Sequence, residues 1–158
     1  MTVSFITVGS LKESYLKEAV AEYKKRITQY ARVEEIELKE ERVNNEEDPK
    51  EIARALDREG EKILTQLQGN TVKVALCVEG KQYSSEELAE LVKGAQDKCG
   101  RITFIIGSSH GLSPAVKAAA DHRLSFSRLT FPHQLMRVNL YEATYRSFTI
   151  IAGKKYHK

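Results

Sequence analysis

Apolar positions follow two different periods along this chain, one typical of buried strands and one typical of amphipathic helices. Short apolar, β-branched runs predict strands at Thr2–Val8, Val33–Leu38, Thr71–Val78, Arg101–Ile106 and Arg123–Phe126. Helical spacing predicts helices over Glu13–Ala31, 48–67, 84–98, a short one from Ser113-Pro114, and His133–Phe148. Strands that alternate with helices indicate an α/β fold, a mostly parallel sheet with helices on both faces.

Local signals set the limits of several of these elements. Asp48–Glu51 reads Asp-Pro-Lys-Glu, which predicts a helix start with Asp48 as the cap and the glutamate reaching back to it. Ser84–Glu87 is a second capping box, and the turn Glu79–Lys81 is expected to end the strand before it. Lys39–Glu47 has too few apolar residues to pack, which predicts a mobile loop.

Composition indicates one cytoplasmic domain. The 158 residues are 41% apolar, no repeat or linker divides them, and we expect a single domain over 1–158. Cys77 and Cys99 are far apart and are expected to be buried, reduced thiols. We expect no signal peptide and no membrane span, because charges interrupt every apolar run.

The net charge of +3 hides an asymmetry along the chain. Residues 1–100 carry 16 Lys and Arg against 20 Asp and Glu, whereas residues 101–158 carry 9 against 2. A basic segment that contains aromatic residues suits a polyanion such as RNA. A basic face that is merely solvated is the alternative.

The first candidate site is the segment Gly107–Gly111, which follows a buried strand directly. Ligands of parallel α/β sheets bind at such carboxyl-end loops. The spacing also matches G-x-S-x-G, so a serine hydrolase with Ser109 as nucleophile is an alternative. Its acid would be Asp121, followed by one of His122, His133 and His157. The chain is short for that enzyme class and shows no HGGG-type oxyanion segment.

The second candidate site is the loop from Leu124 to His133, in which Pro132 determines where the last helix begins. Here the chain closely resembles the RlmH family of SPOUT methyltransferases. That family shares the motifs S-x-x-T-x-P-H, E-x-x-Y-R and a C-terminal Y-H-K/R. The chain reads Ser127-Arg128-Leu129-Thr130-Phe131-Pro132-His133, then Glu142-Ala143-Thr144-Tyr145-Arg146, then Tyr156-His157-Lys158.

The resemblance implies a SPOUT-type fold with a C-terminal deep trefoil knot, a homodimer, and S-adenosyl-L-methionine as cofactor. It implies methylation at N3 of a pseudouridine in 23S ribosomal RNA within the ribosome. By resemblance, the cofactor pocket consists of Leu76, Gly107, Phe126, Ser127, Arg128, Leu129, Thr130 and Phe131. The family usually has a second glycine where this chain has Ser108. A side chain there is costly if the position needs a positive φ, and otherwise its hydroxyl is free to donate to the ligand.

Pseudouridine N3 must lose its proton before it attacks, so the family's chemistry requires a cation and a base. Arg146 and His157 are the candidates, with His133 as a second possible base, Tyr156 as a stacking or positioning group, and Glu142 paired with Arg146. In such homodimers, the tail of one subunit completes the site of the other. Structural roles remain as alternatives: an ion pair for Arg146, a helix cap for His133, and a solvated tail.

We infer no metal, because the four histidines are scattered without ligand spacing. A basic RNA-binding module without catalysis is the third function that the sequence leaves open.

Overall fold

The computed structural model describes residues 1–67 and 69–157, and strands and helices alternate in it as the sequence predicts. The strands are β1 (Thr2–Val8), β2 (Arg32–Leu38), β3 (Val72–Gln82), β4 (Arg101–Ile106) and β5 (His122–Ser125). The helices are α1 (Ser14–Ile27), α2 (Pro49–Gln66), α3 (Ser85–Cys99), α4 (Pro114–Ala119) and α5 (His133–Ile151). Lys158, the last residue of the C-terminal motif, lies outside the described residues.

The five strands form one sheet in the order β2-β1-β4-β3-β5, and every neighbouring pair is parallel. β1 and β4 occupy the interior and are almost entirely buried. Because all strands run in the same direction, their carboxyl ends meet at one edge of the sheet. Every loop that leaves this edge is therefore brought close to its neighbours.

Helices cover both faces of the sheet, as predicted. On one face, Val20 of α1, Val92 of α3 and Tyr141 of α5 join one buried apolar cluster. On the other face, α2 and α4 contribute Ile63 and Val116 to a second cluster. No helix within residues 1–67 and 69–157 has the length and apolar content needed to span a bilayer.

The predicted helix starts are correct, with one difference in how they are held. Ser84 and Glu87 form the full capping box, with hydrogen bonds of 2.8 and 3.1 Å. Asp48 caps α2 by accepting from the Lys50 amide at 2.9 Å. Glu51 does not reach back to that cap. It accepts instead from the amides of Asn44 and Asn45, and so ties the preceding loop to the helix.

The end of β3 differs from the prediction. The sequence places a turn at Glu79–Lys81, but the strand continues to Gln82 with an irregularity between Leu76 and Lys81. Both of these residues pair with Leu124 of β5. The chain between them therefore leaves the plane of the sheet and returns to it. Val78, expected in the core, lies on this excursion and is 59% exposed.

We expect Gly80→Ala to destabilise the fold. A Cβ at Gly80 would lie 2.8 Å from backbone atoms of Arg123 and Leu124, which have no room to move because β5 is paired to β3 on that side. The free energy of unfolding should fall by about 1–3 kcal/mol, measured by urea denaturation.

Gly94→Ala on α3 is the matched control for this substitution. A Cβ at Gly94 meets nothing within 4 Å, so the variant should gain about 0.5–1 kcal/mol from its helix propensity. A Gly80→Ala protein as stable as the native one would contradict the close approach of the two strands.

Candidate functional site

A cavity of about 600 Å³ opens at the carboxyl edge of the sheet. Three chain segments line it: the excursion of β3, the turn after β4, and the loop between β5 and α5. The lining includes seven of the eight residues that the family resemblance assigns to a cofactor pocket, which are Leu76, Gly107, Phe126, Ser127, Leu129, Thr130 and Phe131. Arg128 is exposed in the same loop and does not line the cavity.

The turn after β4 is tightly closed. A Cβ at Gly107 would lie 2.0 Å from the carbonyl oxygen of Gly111, so glycine is required at this position by the close approach of the backbone. Gly111 itself has φ +90°, and its amide donates to the carbonyl of Ser108 at 2.9 Å. The turn therefore presents backbone to the cavity in one defined shape.

Ser108 causes none of the strain that a side chain at this position might have brought. No residue other than glycine has a positive φ in the described chain, so the backbone at Ser108 accepts a side chain. Its hydroxyl already has a partner within the protein. It donates at 2.9 Å to Oε2 of Glu59, and both residues are buried.

Glu59 is a residue that the sequence analysis gave no role. It is 3% exposed and lies on the buried side of α2, in helical register with Ala55 and Ile63. Burial is the main cause that raises the pKa of its carboxyl above the ordinary value, against the lowering effect of its hydrogen bonds. An acidic residue four positions from two apolar ones was the signal for it in the sequence.

The segment Lys39–Glu47 forms no helix or strand, as predicted, but it contacts the turn after β4. Ser109 donates to a Glu40 carboxylate oxygen at 3.3 Å, and His110 Nε2 lies 2.9 Å from a Glu46 carboxylate oxygen. Ser109 and His110 therefore each contact a glutamate of this segment and do not bond to each other.

The serine hydrolase alternative receives no support from the position of its acid. The Asp121 carboxylate accepts from the Lys73 amide at 2.7 Å, near the start of β3 and just before β5. That is the amino edge of the sheet, whereas Ser109 follows β4 at the carboxyl edge. The two groups of the hypothetical triad lie at opposite ends of the strands.

The loop between β5 and α5 is held by its own hydrogen bonds. Ser125 Oγ donates to the carbonyl of Ser127 at 3.0 Å, and Ser127 Oγ accepts from the Leu129 amide at 3.0 Å. Leu129 is 72% exposed and lies at the cavity wall together with Phe126 and Phe131. The loop thus combines apolar side chains with backbone polar groups around one space.

His133 lies between this cavity and a neighbouring one of about 420 Å³, and it lines both. It is the first residue of α5 but not its cap, because the cap position is Pro132 and no side chain bonds there. The capping alternative for His133 is therefore wrong. Its Nε2 faces Gly9, at 3.7 Å from where a Cβ would stand. The smaller cavity also has Lys12 and Lys39 in its wall.

The remaining predicted residues form a cluster at the other end of α5. The guanidinium of Arg146 donates to Glu142 at 2.5 Å and lies 3.3 Å from His157 Nδ1. The same Glu142 oxygen accepts from the Tyr156 hydroxyl at 3.0 Å, and the guanidinium lies over the Tyr156 ring. His157 Nε2 contacts Glu86 at 2.8 Å. The C-terminal tail is thus packed down instead of frayed.

Hydrogen bonding and burial shift two pKa values within this cluster. The hydrogen bond to Glu142 raises the pKa of the Arg146 guanidinium, which keeps it cationic. Burial, followed by hydrogen bonding with Tyr23 and the hydrogen bond that the phenol donates to Glu142, raises the pKa of Tyr156, so the phenol stays a neutral hydrogen-bond donor.

The structure thus divides the predicted site residues into two sets that are not in contact with each other. His133 is at the cavity, whereas Arg146 is 13 residues further along the same helix. A rise of about 1.5 Å per residue separates them by about 20 Å. Within one chain, the cluster of Glu142, Arg146, Tyr156 and His157 does not reach the cavity.

The two cysteines are half-buried and unpaired, which corrects the expectation of full burial. Cys77 borders the cavity, and desolvation raises the pKa of its thiol, so it is not an activated nucleophile. Within residues 1–67 and 69–157, no three His, Cys, Asp or Glu side chains are grouped so as to hold a metal ion.

The model of one protein family, described as predicted SPOUT methyltransferase, matches residues 1–157. Among curated proteins, the ribosomal RNA large subunit methyltransferase H of Bacillus pumilus is 46% identical to the chain over 159 residues, with 100% of both covered. The protein of the same name from Caldicellulosiruptor saccharolyticus is 47% identical over 156 residues, with 99% of both covered.

Solved structures share the fold at much lower identity. A probable methyltransferase from Bordetella pertussis Tohama I superimposes with a TM-score of 0.55 at 17% identity, over 92% of this chain and 93% of that chain. A tRNA (m1G37) methyltransferase from Aquifex aeolicus gives 0.52 at 16% identity, over 92% of this chain and 70% of that chain.

The buried position of Glu59 predicts a pH-dependent difference between the native protein and Glu59→Gln. A carboxyl whose pKa is raised by folding contributes stability at low pH and loses it as the pH rises through the folded-state pKa. The amide does not titrate. Between about pH 4 and pH 7, the free energy of unfolding should therefore shift in favour of the variant, measured by urea denaturation at several pH values.

Glu61→Gln, on the same helix but exposed, is the control for this pH series. The difference in free energy of unfolding between this variant and the native protein should stay constant over the pH range. A constant difference for Glu59→Gln as well would mean that burial does not perturb this carboxyl.

Proposed function

This chain belongs to the SPOUT methyltransferase family, and from that membership we propose that it transfers a methyl group from S-adenosylmethionine to large-subunit ribosomal RNA. The observation that carries the proposal is the convergence of three separated segments on one cavity, which both Gly107 and Thr130 line. Near-complete coverage at 46–47% identity to two relatives named as such methyltransferases supports the reaction class.

The residues at the cavity fit the cofactor. Its volume of about 600 Å³ lies within the range of small-molecule sites, and apolar side chains from Leu76, Phe126 and Leu129 suit an adenine ring. The backbone of Gly107 and of the loop 126–131 supplies hydrogen-bonding groups for the polar parts. When bound, S-adenosylmethionine supplies a methyl group activated by its sulfonium. Arg128 is exposed in the same loop and does not line the cavity.

We propose N3 of a pseudouridine as the acceptor, as the resemblance implies. This nitrogen must lose its proton, and the anion that forms is stabilised by a fixed cation. Arg146 supplies that cation, because the Glu142 hydrogen bond keeps it protonated and oriented. His157 or His133 accepts the proton, and Tyr156 stacks on or positions the base.

A homodimer resolves the separation of these groups. His133 is at the cavity, but Arg146 lies about 20 Å further along α5, and His157 lies beside Arg146 at 3.3 Å. A second chain in a symmetric pair brings its own Arg146 and tail to the first chain's cavity. Each site is then composed of the cofactor cavity of one subunit and the C-terminal cluster of the other.

The proposed deep trefoil knot finds support in the contact between β3 and β5. Leu124 pairs with Leu76 on one side of the β3 excursion and with Lys81 on the other, and Gly80 lies against the backbone of Arg123 and Leu124. The chain from 77 to 80 thus passes close around β5. Threading of the C-terminal part through such a loop is the topology that the family implies.

We propose that the surface of this domain itself recognises the substrate. Its basic segment after residue 100 favours RNA. We therefore propose that it acts in the cytoplasm on assembled ribosomes, where the target nucleotide is already presented in a folded setting. A non-catalytic RNA-binding module would not need this cavity.

The reaction is tested by transfer of tritium from labelled S-adenosylmethionine. Intact ribosomes from cells that lack this gene should be labelled, and naked rRNA from the same cells should be labelled at least about tenfold less, a difference of about 1.4 kcal/mol in substrate recognition. Mass spectrometry of the labelled rRNA identifies the base. RNA binding without label would support the module instead, and stronger labelling of naked rRNA would overturn the ribosomal setting.

Deletion of residues 156–158 should abolish methyl transfer and leave the cofactor Kd within about twofold, below about 0.4 kcal/mol. The reason is that Tyr156 and His157 belong to the cluster around Arg146 and lie far from the cavity of their own chain. Tritium transfer measures the first effect and titration calorimetry the second. Equal activity of the truncated protein would exclude a catalytic tail.

Co-expression of two inactive variants tests the shared site. Gly107→Ala closes the cavity turn against Gly111, whereas the truncated chain keeps its cavity. In mixed dimers, one site combines an intact cavity with an intact tail, so about a quarter of native activity should return. If each tail served its own chain, the mixture would stay inactive.

A further inference from the structure

We infer that Glu59 is a positioning residue for the cofactor cavity, because its buried carboxylate fixes the turn after β4 from behind. The inference rests on the proposed function, since it concerns how well that cavity is prepared for its cofactor. Glu59 does not line the cavity itself. It acts through Ser108, which does.

Both oxygens of the Glu59 carboxylate have a separate partner. Oε2 accepts from the Ser108 hydroxyl at 2.9 Å, and Oε1 accepts from the backbone amide of Glu41 at 2.9 Å. The carboxylate thus joins the turn after β4 to the segment that follows β2. Removing either donor leaves a buried oxygen without its bond, which is costly in a site with 3% exposure.

The helix that carries Glu59 packs closely on the start of α4. Its neighbour Gly60 packs directly on Ser113, where a Cβ would lie 2.3 Å from the hydroxyl oxygen. Ser113 is itself buried and caps α4 by accepting from the Val116 amide. Close packing on Ser113 therefore restricts where α2, and with it Glu59, can lie.

The negative potential around Glu59 makes its location difficult to explain by stability alone. Glu40 and Glu41 both act to raise the pKa of its carboxyl, in addition to the burial. A buried acid near two other acids costs the fold free energy. Its two hydrogen bonds fix the shape of the turn. They therefore help to shape the cavity that the turn lines.

The experiment measures the Kd for S-adenosylhomocysteine by calorimetry in four variants: Glu59→Ala, Glu59→Gln, Ser108→Ala and the double alanine variant. Glu59→Ala should raise the Kd about tenfold, or about 1.4 kcal/mol. Glu59→Gln should stay within about threefold, or about 0.7 kcal/mol, because its oxygen can accept from the Glu41 amide while its amide donates to Ser108.

The double variant separates coupling from a direct contact of Ser108 with the cofactor. If the two side chains act through one bond, the double variant binds no more weakly than Glu59→Ala. If the losses of cofactor binding free energy in the two single variants add up in the double variant, Ser108 acts on the cofactor by itself, and the inference would be overturned. In kinetics, Glu59→Ala should raise the KM for the cofactor about tenfold while kcat stays within about twofold.

A measurement without cofactor keeps the test independent of the proposed function. Hydrogen exchange at the amides of Gly111 and Glu41 should be at least about tenfold faster in Glu59→Ala than in the native protein, a loss of about 1.4 kcal/mol of local protection. Exposed Glu61→Gln on the same helix should change neither exchange nor Kd.

The outcomes are distinct. A folded Glu59→Ala protein with native exchange rates and native Kd refutes the role of Glu59. If that variant does not fold, Ser108→Ala tests the same bond, and unchanged Gly111 exchange in it also refutes the role. A native protein that binds no cofactor refutes the proposed function, and the exchange rates alone then decide the role of Glu59.

Discussion

The constraint on which the rest of this structure depends is the parallel alignment of all five strands, with β5 held against both sides of the β3 excursion. Leu124 pairs with Leu76 and with Lys81, so the chain that leaves β5 must emerge beside the turn that leaves β4. Three loops distant in sequence therefore meet at one edge. Without this pairing, nothing would hold the loop 126–131 next to Gly107.

Buried charges then define the shape of that edge. Arg137 on α5 is 6% exposed, and it donates to the Gly9 carbonyl at 2.6 Å and to Glu37 at 3.0 Å, which holds the end of β1 close to His133. Glu59 does the same from the other face, through Ser108 and the Glu41 amide. Buried charges of this kind persist where hydrogen bonds satisfy them, and they fix geometry more than they add stability.

The long helix α5 separates the two sets of residues that the proposed reaction needs, which are the cofactor cavity and the cluster around Arg146. Its start faces the cavity, and its last turns carry the cation that Glu142 orients and that the tail packs over. A rigid helix holds these ends about 20 Å apart, so they cannot meet within one chain. Symmetric pairing of two chains is a simple way to unite them, because each copy then supplies what the other lacks.

Local chemistry in the sequence was enough to predict the elements, whereas the candidate site residues came from the resemblance of longer motifs to a family. Period and caps placed all five strands and all five helices, since each depends on neighbours within a few positions. Only tertiary structure decided that β3 continues past Val78 and that Ser108 bonds Glu59. Those outcomes depend on contacts between residues about fifty apart along the chain. No pattern of neighbouring residues encodes such a contact, because it exists only once the strands have been aligned.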